Sequence, residues 1–230
     1  MSVRERAGAS LPKVSELLVV CAHPDDESFG LGGVLGAFVD RGTRVRVLCF
    51  THGEASTLGA GVALGERRAA ELEAAASALG VQDARLHAYP DGRLAAVALE
   101  ELVARVAEEA GDAELLLAFD VGGITAHPDH IRATEAALAF GTDRRLPVLG
   151  WALPEEVAAQ LNAELGTSFV GRRPDELDLT FAVDRARQRT AIACHASQSS
   201  DNPVLWRRLE LLGNTEHLRW LLPPPNGRGA

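Results

Sequence analysis

Cysteine is scarce in this chain, and the three present, Cys21, Cys49 and Cys194, are odd in number and far apart. That excludes a disulfide framework. Because two of them lie inside apolar strand-like runs, they read as small buried hydrophobes in a reducing compartment. Positive charge is in deficit as well: 23 Lys and Arg stand against 32 Asp and Glu, a formal charge of -9. An acidic surface repels nucleic acid and anionic membranes, which leaves a metal ion or a small polar molecule as the fitting partner. A run of about 18 apolar residues, the least that spans a bilayer as a helix, does not occur. The opening residues MSVRERAGAS lack the apolar centre of a secretion signal, so a cytoplasmic protein without a membrane span is expected. Internal repeats are absent too. What the chain does have is 47% hydrophobic residues over 230 positions, enough for one large core. A single domain over residues 1–222 is expected, with the last residues 223–230 (PPPNGRGA) as a disordered tail.

Short apolar runs alternate with helical periodicity. Leu17 to Cys21, Val45 to Phe50, Arg85 to Tyr89, Glu114 to Phe119 and Pro147 to Leu153 read as strands. Helical spacing fills the intervals at Gly30 to Arg41, Glu66 to Leu79, Leu99 to Ala110 and from His130 through Leu138. Further along come a helix at Pro154 to Leu165, a late strand at Asp178 to Val183 whose pairing sense is open, and a helix from Asp184 to His195. An apolar helix at Val204 to Leu212 and a terminal strand-like run at His217 to Leu222 complete the series. Such regular alternation implies right-handed βαβ crossovers, hence an α/β fold with a mostly parallel twisted sheet and helices on both faces.

Two strand ends carry the candidate chemistry. Leu17 to Cys21 runs straight into His23, Asp25, Asp26 and Glu27, with Pro24 fixing the backbone between them. In an open parallel sheet the crevice beyond the carboxyl ends of the strands is where ligands bind. The strand ending at Phe119 repeats the logic, leading through a loop to HPDH at His127 to His130. Hydrolytic zinc takes three protein ligands of His or carboxylate type and keeps one position for water. The first loop offers His23 and Asp26, and the second offers His127 and His130. Asp25 is then a spare carboxylate for the proton that water must lose. Helix capping would account for Asp and Ser at the first place and for Asp at the second, but not for the same His-Pro arrangement at both.

AHPDDE at Ala22 to Glu27 together with HPDH resembles the LmbE-like or PIG-L-like N-acetylglucosaminyl deacetylases, zinc-dependent enzymes of Rossmann-like fold. TxGE at Thr51 to Glu54, RxxE at Arg68 to Glu71, Leu79-Gly80, PDG at Pro90 to Gly92 and HASQ at His195 to Gln198 follow in the family's order. The resemblance implies that His23, Asp26 and His130 hold one Zn2+ per chain, another divalent transition metal being the alternative. It implies Asp25 as general base and later acid, a protonated His127 at the oxyanion, and Asp129 as the group that orients His127. Arg68 and Asp91 match positions near the amino sugar. The implied reaction removes the acetyl group of a small-molecule N-acetylglucosamine conjugate; an amidase of a related glucosamine conjugate is the alternative. Homo-oligomerisation stays open.

Several of these positions also have plainer readings. Asp129 suits a helix start, Arg68 stands i,i+3 from Glu71 and can pair with it, and Asp91 sits in a turn that favours Asp anyway. Glu27 and Glu54 are expected to brace their loops, and His195 a loop or the pocket rim, outside the metal set. His52 lines the pocket or is incidental; His87 and His217 are structural, and Trp151, Trp206 and Trp220 are core or interface anchors. From another class, GLGG at Gly30 to Gly33 admits a nucleotide-binding module without catalysis. HPDDES at the strand end would repel a pyrophosphate, and the second strand ends without a ribose-binding acid.

Overall fold

The computed structural model describes residues 10–59, 61 and 63–225. The far end of the expected tail, residues 226–230, lies outside the described residues. The first strand, β1, is Glu16–Cys21, followed by the short α1 (Asp26–Phe29), α2 (Gly32–Val39) and β2 (Arg44–Thr51). Next come α3 (Leu64–Leu79), β3 (Asp83–Tyr89), α4 (Leu99–Ala110) and β4 (Leu115–Phe119). The short α5 (Gly123–Ala126) precedes α6 (Pro128–Arg144), and β5 is Val148–Trp151. Then follow β6 (Leu153–Pro154), α7 (Glu155–Leu165), β7 (Gly171–Arg172) and β8 (Leu179–Ala182). The series closes with α8 (Ala186–Cys194), α9 (Ala196–Ser199), α10 (Pro203–Leu212) and β9 (Thr215–Leu222).

Seven strands form one sheet in the order β3-β2-β1-β4-β5-β9-β8. The first five are mutually parallel, while β9 runs antiparallel to both β5 and β8. The period-two alternation of β1 sends Leu17, Val19 and Cys21 into one apolar cluster with α2, α3 and α8, and Leu18 and Val20 into another with α4 and α6. Both faces are therefore covered, which is what a parallel sheet of near-continuous apolar strands requires. Strand order reverses at β1, with β2 on one side and β4 on the other. The crevice of such a switch point opens between the loops after β1 and β4, where the two His-Pro motifs stand.

Two details differ from the sequence reading and one extends it. The run Pro147 to Leu153 divides, because Leu153–Pro154 leaves the main sheet and pairs with Gly171–Arg172. The terminal strand-like run is a strand, β9, and it lies inside the sheet between β5 and β8. The GLGG glycines serve close packing. A Cβ on Gly30 would stand 2.5 Å from the Phe119 ring, and one on Gly33 would stand 2.6 Å from the Glu216 carboxylate. These glycines are thus accounted for by close packing, which removes the signal on which the nucleotide-binding alternative rested. Among the described residues no helix is long and apolar enough to cross a membrane.

Candidate metal centre and its cavity

Asp26 organises the first loop. Its Oδ2 accepts the backbone N–H groups of Ala22 (2.9 Å) and His23 (3.0 Å), which holds the turn off β1 and leaves Oδ1 facing His130 Nε2 at 3.1 Å. His130 comes from the first turn of α6. With Nδ1 beside the Gly123 carbonyl (3.2 Å), its proton belongs on Nδ1 and the Nε2 lone pair faces inward, 3.1 Å from His23 Nδ1. His23 Nε2 is held from behind by Asp91 (3.0 Å) and Asp129 (3.3 Å). A carboxylate behind a ligating imidazole sets its tautomer and raises its basicity. His23 is thereby aimed through Nδ1.

His23, Asp26 and His130 place donor atoms within 4.8 Å of one another. Donors about 2.0–2.1 Å from a tetrahedral zinc lie about 3.3 Å apart. His130 Nε2 lies 3.1 Å from both His23 Nδ1 and Asp26 Oδ1, a spacing that fits a single ion. A second grouping, His23, His127 and Asp129, meets the same distance limit. It fits poorly: both Asp129 oxygens accept backbone N–H groups, from Gly92 (2.7 Å) and Leu94 (3.0 Å). His127 Nδ1 accepts the Asp129 N–H at 3.2 Å. The electrostatics match the donor assignment. Burial disfavours the charged carboxylate of Asp26, but the adjacent His130 and His23 outweigh it and hold Asp26 well below the usual range. For His23, burial opposes protonation, yet the hydrogen bonds of Asp129 and Asp91 prevail and raise it to about 10. A cation is the natural replacement for that proton.

Asp25 stands beside this set, with φ at +130°, a region an L-residue adopts under strain. Its backbone N–H is held by Glu27 (3.0 Å), its carbonyl accepts from Ser28 (3.0 Å) and Phe29 (2.7 Å), and its Oδ2 meets Arg68 at 2.9 Å. Burial, offset in part by Arg68, pushes its carboxyl up to about 6. Arg68 also donates to the carbonyls of Pro24 and Gly53, each at 2.6 Å. A Cβ on Gly53 would collide with this guanidinium, so glycine after β2 is what lets Arg68 through. Glu27 is fully buried beneath the loop. It accepts from Ser28 Oγ (2.5 Å) and from the equally buried His195 (2.6 Å), which places HASQ as a brace under the HPDDE loop.

The second loop is strained too, with Ile124 and Ala126 at positive φ before His127. The expected hydrogen bond from the Asp129 carboxylate to His127 is not what forms: Asp129 faces His23 and the Gly92–Leu94 turn. The positive charge expected on His127 is likewise opposed. Burial lowers its pKa, the neighbouring His23 and His130 lower it further, and Nδ1 accepts a hydrogen bond, so the neutral ring carries its proton on Nε2. Arg68 does not pair with Glu71, which holds Ser197 through N (2.9 Å) and Oγ (2.6 Å). Asp91 is engaged on both oxygens, by His23 and by the Ala55 N–H (2.9 Å), and Glu54 accepts the Asp91 N–H at 2.9 Å. His52 lines a separate, shallower depression.

These groups open onto a cavity of about 520 Å³. Its polar wall includes Asp25, Arg68, Asp91 and His127, while Phe29, Phe119, Phe169, Leu205 and Trp151 form an apolar wall into which Arg208 reaches. Trp151 and Arg208 were not singled out from the sequence as site residues. A signal for Arg208 exists: it shares the helical stripe of Leu205, Leu209 and Leu212, which a solvated arginine would avoid. Trp151 closes an apolar strand, and nothing local distinguishes it from core.

Residues 18–140 match the family described as PIG-L, GlcNAc-PI de-N-acetylase, and the chain belongs to that family. Among curated relatives it is 33% identical over 195 residues to the 1D-myo-inositol 2-acetamido-2-deoxy-alpha-D-glucopyranoside deacetylase of Kineococcus radiotolerans. That match takes in 65% of this chain and 53% of the relative, so the chain spans about half the length of that protein. It is 28% identical over 221 residues to the probable N-acetyl-alpha-D-glucosaminyl L-malate deacetylase 2 of Bacillus anthracis, covering 91% of this chain and 92% of that one. In shape it resembles the crystal structure of GalB, the 4-carboxy-2-hydroxymuconate hydratase of Pseudomonas putida, with a TM-score of 0.68 and 18% identity over 94% of this chain and all of that one. At that identity the likeness is one of fold, and a hydratase on this fold means that the reaction must be argued from the site.

Proposed function

We propose that this protein is a metal-dependent N-deacetylase that hydrolyses the acetamide of an N-acetylglucosamine conjugate. One observation carries the reading: a His-Asp-His set spaced for a single ion converges at the switch point with a partly buried carboxylate, Asp25, that is not part of the set. His23, Asp26 and His130 would hold zinc, which when bound polarises an amide carbonyl and lowers the pKa of water to about 7. Asp25 takes the proton of the attacking water as its oxygen bonds to the carbonyl carbon. Arg68 fixes Oδ2 of that carboxylate, and the side chain remains 17% exposed, facing the cavity. As the C–N bond breaks, Asp25 returns the proton to the leaving nitrogen, so one residue serves as base and then acid. Neutral His127 donates through Nε2 to the developing oxyanion. Asp129 and Asp91 act through His23, keeping Nδ1 directed at the ion. Arg68 and Asp91 flank the wall where the sugar would lie and shape it, since their polar atoms are largely engaged within the protein.

The named relatives act on inositol-linked and malate-linked amino sugars, which supports the conjugate class. The thiols of Cys21 and Cys49, side by side in register on β1 and β2, support a reducing, cytoplasmic setting. The test is a screen of N-acetylglucosamine conjugates for release of free amine by zinc-loaded protein, with and without chelator. Amine release that chelator abolishes and zinc restores is expected, with one ion per chain by metal analysis. Absence of release from every conjugate by the loaded protein would sink the reading.

A further inference from the structure

Across the cavity from Arg68 stands a buried arginine that pairs with no carboxylate among the described residues. Arg208, on α10, is 8% exposed, and its guanidinium lies 5.3 Å from the centroid of the Trp151 ring. One nitrogen donates to the Phe29 carbonyl at 2.8 Å; among the described residues this is its only hydrogen bond, and Nε has no partner. The other two arginines buried among the described residues differ. Arg68 reaches Asp25 at 2.9 Å and Arg185 reaches Glu216 at 2.5 Å. Glu216 cannot serve Arg208 equally well, because its two oxygens are taken by Arg185 and by Trp151 Nε1 (2.6 Å). A guanidinium withdrawn from water without a counter-charge is costly, and one carbonyl and a ring face offset only part of that. The fold sets the distance from the reactive end. Arg68 binds the segment after β2 and Trp151 ends β5, three strand spacings or about 14 Å apart, with the metal-ligand set between them. A substrate whose amide lies at that set therefore turns one of its two ends toward Arg208.

We propose that Arg208 is a specificity-determining residue for a carboxylate carried by the substrate at the Trp151 end of the cavity. The proposal rests on the deacetylase reading and narrows its substrate class to anionic conjugates. The guanidinium fork matches a carboxylate in geometry, and the surrounding Phe29, Phe119 and Leu205 exclude the water that would screen the pair. Two sources offer the same chemistry, the aglycone and the acyl group.

The experiment compares initial rates of amine release by the zinc-loaded full chain on two substrate pairs. One pair is the carboxymethyl glycoside of N-acetylglucosamine and its methyl glycoside; the other is N-succinylglucosamine and N-acetylglucosamine. In one pair the anionic member is expected to be preferred at least ~10-fold in kcat/KM through a lower KM, as a charged, desolvated contact implies. Arg208→Gln should bring that ratio close to one, and Arg208→Lys should keep part of it. Calorimetric titration with carboxymethyl glucosaminide and with succinate reads binding independently of turnover. Binding that depends on Arg208 without hydrolysis of any substrate would leave the anion site standing and remove the deacetylase reading. No preference in either pair together with no Arg208-dependent binding overturns the proposal. So does an equal loss on anionic and neutral substrates in Arg208→Gln, accompanied by a lower Tm, since that is the mark of a structural brace.

Discussion

The stretch that matches the family, residues 18–140, and the stretch beyond it divide the cavity between them. In the first, the charged side chains at the cavity are tied to one another: Asp26 to His130 and two backbone amides, His23 to Asp91 and Asp129, Asp25 to Arg68. The second contributes Trp151, Phe169 and Leu205, which complete the apolar wall begun by Phe29 and Phe119, and Arg208, a cation with no carboxylate partner among the described residues. The contrast separates two tasks. A site that must stabilise charge during reaction is preorganised so that nothing has to rotate when charge develops. A site that selects a ligand leaves one interaction for the ligand to complete.

Substitutions can break or sharpen that division. The largest effect is expected for Asp25→Asn, which should retain the metal and lose about 10²- to 10⁴-fold in turnover, the scale of a positioned acid-base group. Near-normal rates would move the reactive role elsewhere in the cavity. Next, His127→Ala should lower kcat by about 10²- to 10³-fold, the range for a lost oxyanion donor, while metal analysis shows the ion still bound. His130→Ala should instead be depleted of metal, and the reverse pattern would exchange their roles. Smaller again, Asp129→Asn should weaken metal affinity by about 10- to 100-fold through His23, as loss of a supporting carboxylate does, measured by competition with a chromogenic chelator. If affinity stayed the same and only kcat fell, Asp129 would belong with His127 after all.

Much of the reactive half was legible because its signals are local. His23, Asp25 and Asp26 follow an apolar strand without a gap, and HPDH follows another, so strand-end logic places both without tertiary knowledge. What local signals do not carry is which partner a polar group chooses. Arg68 has Glu71 one helical turn away, yet it reaches over Gly53 to Asp25 and Pro24, because a loop without a Cβ admits it and buried acceptors need it. Asp91 looks like a turn residue and is one, but the turn lies against His23. The far wall was less legible still. It depends on β9 entering the sheet beside β5, a pairing fixed by packing across distant segments, and on Arg208 pointing inward from a stripe of leucines.

The position of β9 also bears on the order in which the molecule is made. A chain leaves the ribosome at about 5–20 residues per second, amino end first, and β1 to β5 can pair as they emerge. In the main sheet β8 has one neighbour, β9, which follows it in the chain. That edge waits for the late strand, and so does the Trp151 indole, which Glu216 of β9 anchors. A nascent chain therefore holds all its donor residues before the wall that screens what reaches them has closed.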